Sequence, residues 1–360
     1  MLQIDLEHRF SGFRLQSRFE APPGLTALFG RSGSGKTTII NAVAGLLQPD
    51  HGRIASGDWV LLDTEKNIHL PPSRRRLGYI FQEGRLFPHL TVRQNLKYGA
   101  WFAPRGEPRE DLSRVVEMLG LGHLLDRRPG ALSGGEKQRV AIGRALLSAP
   151  RLILADEPLA ALDEARKAEI LPYFERLRDE VEIPILYVSH SVSEVARLAT
   201  TVAALEDGQV VRQGPAADVL ADPAVQPLGP RRAGAILSVA VASHHPDGLT
   251  ELDAGGESLF LPAVDKPVGA TVRVRIAAHD VILSRQRPEG LSALNILPCE
   301  VLEVRVGQGS DALLALETGA GRLLARVTRR SLSRLEITVG VRLHAIIKTV
   351  SIAPSDIGVG

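Results

Sequence analysis

The sequence is poor in the residues that cross-link, anchor or export a chain. It has a single cysteine, Cys299, among 360 residues, which excludes an internal disulfide and suits a reducing compartment. No apolar run approaches the eighteen or so residues that a membrane-spanning helix needs. Met1 to Phe10 alternate charged and apolar side chains as an amphipathic strand does, with no apolar signal core. The chain is therefore expected neither to cross a membrane nor to be exported. Charge of one sign is also scarce, with 43 Lys and Arg against 41 Asp and Glu. The arginines fall in short groups (Arg74 to Arg76, Arg127 with Arg128, Arg329 with Arg330) rather than in a basic tail, so nucleic acid is not an expected partner. The length exceeds one average domain and predicts two, each able to bury its own core.

Residues 30 to 37 read Gly-Arg-Ser-Gly-Ser-Gly-Lys-Thr. An apolar strand at 25–30 precedes them and a helix at 37–47 follows, the order a phosphate loop requires. The stretch Gly30, Arg31, Ser32, Gly33, Ser34, Gly35, Lys36, Thr37 and Thr38 is the expected phosphate cradle. Its glycines let backbone amides turn toward the β- and γ-phosphates at a helix N-terminus. Lys36 would place a positive charge between those phosphates, Thr37 a hydroxyl on Mg²⁺, and Thr38 a hydroxyl near the α-phosphate. Further on, Ile153 to Pro158 is a buried strand that ends in two carboxylates. By itself such a strand is more often a turn than a site. With a phosphate loop upstream, Asp156 is expected to hold Mg²⁺ through water and Glu157 to polarise the attacking water.

Strands at 77–82, 151–155, 184–189 and 201–206, with helices at 91–100, 110–121 and 136–149, give an α/β sheet with a helical insertion. Helical periodicity stops near Pro223. Beyond it, short Val/Leu/Ile-rich segments at 235–242, 258–261, 271–276, 280–285, 299–306, 312–317, 322–328 and 341–352 predict a small β-barrel-like domain. It is expected to hold two similar β units, 234–287 and 290–354. Domain 1 is placed at 1–230, with a helical subdomain at about 88–150, and domain 2 at 231–360.

The combination resembles the ATP-binding-cassette family over about residues 1–225. Leu132-Ser133-Gly134-Gly135-Glu136 is similar to its signature loop, with Glu136 where glutamine is commoner. Gln82 stands at its Q-loop, Ala161-Leu162-Asp163 at its D-loop, and His190 at its switch histidine. The resemblance implies ATP and Mg²⁺ as cofactors, with Gln82 joining Thr37 and Asp156 at the metal and His190 and Gln82 assisting Glu157. It also implies a homodimer paired head to tail, in which Ser133, Gly134, Gly135 and Asp163 of one subunit close on the nucleotide of the other. By physical reading, Ser133 and the two glycine amides cap a helix N-terminus, another anion site. The family stacks adenine on an aromatic, for which Phe10 is the candidate and Phe13 the runner-up. Importers of the family seat a membrane permease near residues 86–101, where Phe87, Pro88, Leu90 and Trp101 offer apolar contact; the competing reading makes them subdomain core.

The tail is similar to the OB-like (Mop/TOBE) extension of importer ATPases. Ser292-Ala293-Leu294-Asn295-Ile296-Leu297 resembles the opening of molybdate-binding Mop modules, and Leu343 to Ile352 their closing strand, within a module at about 290–355. Leu294 replaces the usual arginine. Ser292, Asn295 and Lys348 are therefore the candidate oxyanion ligands, against the alternative that Ser292 and Asn295 satisfy local backbone groups. The resemblance implies an importer ATPase that is peripheral at the cytoplasmic face of the inner membrane. Its partners would be a permease and an external molybdate-binding protein. Import of another solute (sulfate, sugar, iron, polyamine) and a soluble oxyanion-sensing ATP switch are the alternatives.

Overall fold

The pleat sorts the alternating N-terminal residues onto two faces. β1 (Leu2–Phe10) buries Leu2, Ile4 and Leu6, and β2 (Phe13–Ala21) buries Leu15, Ser17, Phe19 and Ala21. With β4 (His51–Ser56), β5 (Trp59–Asp63) and β6 (Ile68–His69) they form a five-stranded antiparallel sheet, ordered β2-β1-β4-β5-β6.

A second sheet has β3 (Leu25–Gly30) at its heart, flanked in parallel by β10 (Thr201–Glu206) and β9 (Ile185–Ser189); β8 (Leu152–Asp156) and β7 (Leu77–Ile80) continue it. β11 (Gln209–Pro215) lies on the edge beyond β10. β3 and β9 are buried throughout, as parallel strands covered on both faces are. Helix α1 (Lys36–Ala44) contributes Ile39, Ile40 and Val43 to a core shared by both sheets. In this register Phe29 faces Ser189, Asp156 faces Val188 and Ile80 faces Ala155. The carboxyl ends of four strands therefore open on one edge, where ligands of α/β sheets collect.

The computed structural model describes residues 1–102, 110–223, 225, 233–307, 309–353 and 356–359. The chain divides into one unit of residues 1–190 and 198–213 and another of 191–197 and 214–360. In the first, α2 (Val92–Phe102), α3 (Leu112–Met118) and α4 (Gly134–Leu146) pack around Gly143, whose missing side chain would meet Leu96 at 2.7 Å and Leu119 at 3.1 Å. The helix expected at 110–121 is shorter because Leu119 leaves helical geometry. The one expected at 136–149 starts earlier because Ser133 caps it in a reciprocal bond with Glu136. Helix α5 (Glu164–Glu180) goes unnoticed in the sequence, as do β2 and the strands β4 to β6.

Among the described residues, the second unit holds most of α6 (Val192–Leu198), α7 (Ala216–Leu220) and ten strands in two antiparallel sheets. The first sheet uses β12 (Gly234–His244), β13 (Leu249–Asp253), β14 (Ser258–Pro262) and β15 (Thr271–Ala277). The second uses β17 (Asn295–Val306), β18 (Asp311–Thr318), β19 (Gly321–Thr328) and β20 (Arg342–Ile347), with α8 (Arg329–Arg334) between the last two. Each set of four has the same order, third strand, second, first, fourth. Each first strand carries an irregularity against its second, between Val241 and Ser243 in β12 and between Val301 and Glu303 in β17. The fifth strands are exchanged. β16 (Val281–Ser284), which follows β15, pairs with β20, whereas β21 (Ile357–Val359) pairs back to β15. The strand expected at 341–352 ends at Ile347 and passes into a 3-10 turn at Thr349–Ser351.

Candidate functional site

The cradle is built where β3 hands over to α1. A Cβ at Gly30 would lie 2.4 Å from the carbonyl of Leu205, and one at Gly35 would lie 2.8 Å from a Leu15 methyl. At Gly33 there is space, and what requires glycine is a φ of +83°. Lys36 folds back over the loop and donates to Gly30 O at 2.8 Å and Arg31 O at 2.7 Å, with Ser34 Oγ at 3.4 Å. Burial pushes its amine below the usual lysine range, while Glu157 and Asp156 pull it back up.

Phe10, Phe13, Ser32, Gly33, Gly35, Lys36, Thr37, Thr38, Gln82, Asp156 and Glu157 line one cavity of about 510 Å³. Residues drawn from 10 to 157 in the sequence thus meet at one edge of the sheet. Phe10 and Phe13 both reach it, with ring centroids 6.2 Å apart, so the geometry gives neither preference as an adenine platform. Asp156, like Glu157, is half-buried. Burial and the neighbouring Glu157 raise its pKa, and hydrogen bonds from Tyr79 and Thr37 oppose the rise. Its Oδ1 is buried with no hydrogen-bond partner among the described residues. A buried carboxylate oxygen left open beside a threonine hydroxyl and Gln82 suits a hard divalent cation such as Mg²⁺. Glu157, next in sequence, takes the left-handed conformation at φ +45°. Its amide is held by Val188 O at 3.1 Å, and its Oε2 lies 3.3 Å from Nδ1 of His190, where β9 runs out.

The signature and D-loop residues are not part of this cavity. Ser133 caps α4, Gly134 lines a separate cavity of about 500 Å³ beside Gln82, Pro158 and Leu162, and Asp163 caps α5 by accepting from Arg166 N at 2.9 Å. Within one chain, then, the loop expected to form a second anion site stands apart from the first cavity.

Two residues of the site region escape sequence reasoning. Arg75, noted in the sequence only as one of a short arginine group, is fully buried. It donates to Leu70 O, Ala42 O and Val43 O at 2.6, 2.6 and 2.8 Å, which places a cation on the last carbonyls of α1. Burial lowers its pKa to about 10. Pro71 and Pro72 open the 3-10 turn Pro72–Arg74 just ahead of Arg75 and give no sequence signal of its burial. Tyr79 passes for a core aromatic, yet its hydroxyl lies 3.4 Å from Asp156 Oδ2.

In the tail, Ser292 and Lys348 are exposed, whereas Asn295 is fully buried. The Asn295 carboxamide accepts from Phe260 N at 2.7 Å and donates to Phe260 O at 3.0 Å, so it pairs with the free edge of β14 as a strand would. It is committed to the backbone of Phe260, 35 residues away in sequence, rather than to groups beside its own strand start. Leu294, where an arginine was expected, is half exposed and apolar.

Two family models match the chain, that of the ABC transporter over residues 17–160 and that of the TOBE domain over residues 291–354. A molybdenum import ATP-binding protein of Mesorhizobium japonicum is 49% identical over 100% of this chain and 98% of its own length. Another from Paramagnetospirillum magneticum is 48% identical, covering 99% of each. Among solved structures, a part of the cbiONQ ABC transporter complex of Clostridium perfringens superposes with a TM-score of 0.52 at 27% identity, over 61% of this chain and 90% of that one. A nucleotide-free ATP-binding cassette from an ABC transporter gives a TM-score of 0.52 at 26% identity, over 62% of this chain and 96% of that one.

Proposed function

The chain belongs to the ABC-transporter family, in the branch of the molybdenum import ATP-binding proteins, and we propose that it hydrolyses ATP to energise molybdate uptake through a membrane permease. The observation that carries this reading is the joining of a phosphate cradle, an open buried carboxylate oxygen and a histidine-paired glutamate at one sheet edge. Likeness to the import proteins over both units supports the choice of load.

In the proposed cycle Lys36 gives up its loop carbonyls to sit between β- and γ-phosphate oxygens, while the amides of residues 31–37 cradle the phosphates. Thr37, Asp156 and Gln82 are the residues that would hold Mg²⁺, which supplies charge neutralisation to the phosphate oxygens when bound. Glu157 accepts a proton from the attacking water, and His190 orients it. Ser133, Gly134, Gly135 and Asp163 serve the nucleotide of a second copy, which accounts for their distance from this chain's own cradle. The described residues contain no helix long and apolar enough to cross a membrane, in keeping with a peripheral subunit at the cytoplasmic face that borrows its pathway from the permease. An external binding protein would deliver the anion. In the tail, Ser292, Lys348 and backbone amides are left as oxyanion donors, since Asn295 is engaged elsewhere.

The test is ATP turnover of the chain reconstituted with a molybdate permease and loaded binding protein. Stimulation by molybdate or tungstate, but not by sulfate, is expected; indifference to every anion would sink the assignment of the load. Glu157→Gln in the same assay should retain ATP binding and lose turnover by about 100-fold or more, and normal turnover would remove Glu157 as the base.

A further inference from the structure

Tyr79 and Asp156 come together through strand register. β7 and β8 run parallel with Tyr79 opposite Leu154. Asp156 is two residues beyond that partner and so points to the same face of the sheet. The phenol hydroxyl reaches Asp156 Oδ2 at 3.4 Å, and Oδ1 is the oxygen left buried and without a hydrogen bond. The ring itself has little freedom. It stacks on Phe81 at a centroid distance of 4.0 Å and an interplanar angle of 18°, and the Arg85 guanidinium lies 4.3 Å from the Phe81 centroid. Phe81 is covalently next to Gln82, so one stacked assembly abuts two of the three residues assigned to the metal.

A carboxylate with two free oxygens can rotate about its terminal torsion, which is broad and roughly two-fold. A donor on one oxygen removes that freedom and presents the other in a fixed direction, as outer-shell partners do for metal ligands. We propose that Tyr79 is a positioning residue for the metal-holding carboxylate, its hydroxyl engaging Oδ2 so that Oδ1 of Asp156 faces the nucleotide-bound cation. The inference rests on the reading of the cavity as a Mg²⁺-ATP site.

The experiment compares ATP affinity in EDTA with that in Mg²⁺ for the wild-type chain, Tyr79→Phe, Asp156→Asn and the double variant. Phenylalanine keeps the ring on Phe81 and deletes only the hydroxyl. Tyr79→Phe should match wild type in EDTA and lose roughly tenfold of the Mg²⁺-supported gain. In the Asp156→Asn background the same change should cost nothing further. A full gain in Tyr79→Phe, an equal loss with and without metal, or an additional loss on top of Asp156→Asn would each overturn the assignment. Absence of any Mg²⁺-supported gain in the wild-type chain would instead refute the nucleotide reading, and the role of Tyr79 with it.

Discussion

Glu157 occupies a backbone conformation that costs a residue with a side chain roughly 1–3 kcal/mol. At φ +45° the chain turns sharply after Asp156, so that two consecutive carboxylates serve one cavity although strand alternation would send them to opposite faces. The same economy of position governs Cys299. It is buried and donates to Leu343 O at 3.5 Å, and burial pushes its thiol from 9.0 up to about 11. A raised acid pKa means that the folded state keeps the proton longer than the unfolded one. Its contribution to stability is complete below pH 9.0 and is lost as pH rises toward about 11. Wild type should therefore lose stability in that window faster than Cys299→Ala, by up to about 1.4 kcal/mol per pH unit. Denaturant unfolding at several pH values reads this, and parallel slopes would refute it.

At the scale of elements, the phosphate-loop helix is secured at both ends, with Lys36 over the loop and Arg75 on its final carbonyls. Removing the guanidinium takes its hydrogen bonds from Leu70 O, Ala42 O and Val43 O, of which Ala42 O keeps the amide of Gly45 at 3.2 Å. Arg75→Met is expected to lower stability by about 2–4 kcal/mol. Arg75→Lys should recover part of that, because one ammonium cannot span Leu70 O and the end of α1 as the planar fork does. The denaturant midpoint decides, and a midpoint unchanged in Arg75→Met would show that the buried cation does not stabilise the fold. Of the second sheet, β3, β8 and β10 were legible because their apolar runs end in glycine or carboxylate. Those that were missed had weaker patterns. β2 alternates Arg14, Gln16, Arg18 and Glu20 with its core residues, and α5 carries Pro172 where a stop signal would be read, although Ile170, Leu171, Phe174 and Leu177 share its buried side. The cavity was legible in its phosphate loop and carboxylates. Tyr79 and Arg75 were not, since only strand register and burial reveal what their polar ends touch.

At the scale of the molecule, the chain keeps nucleotide chemistry and the strand-rich tail in separate units, and their failures should be separable too. Arg275 and Asp356 pair at 2.9 Å, each about 15% exposed, beside β21. Asp356→Ala strands the Arg275 guanidinium. We expect the tail to lose about 1–3 kcal/mol while ATP affinity in the first unit is retained. Calorimetry with parallel nucleotide titration measures both, and an unaltered tail transition would discount the pair.

The exchange of β16 and β21 has a consequence for how the tail is made. As the chain leaves the ribosome, β12 to β15 emerge as a set in which β15 pairs with β12 but has its other edge open until residues 357–359 arrive. β16 likewise waits for β20, more than fifty residues later. Each five-stranded sheet is thus completed by a strand from the other half, a pairing of high sequence separation that slows folding of the tail. Until then the edge of β15 stays open to pairing with another chain, and that interval is where its misassembly would begin.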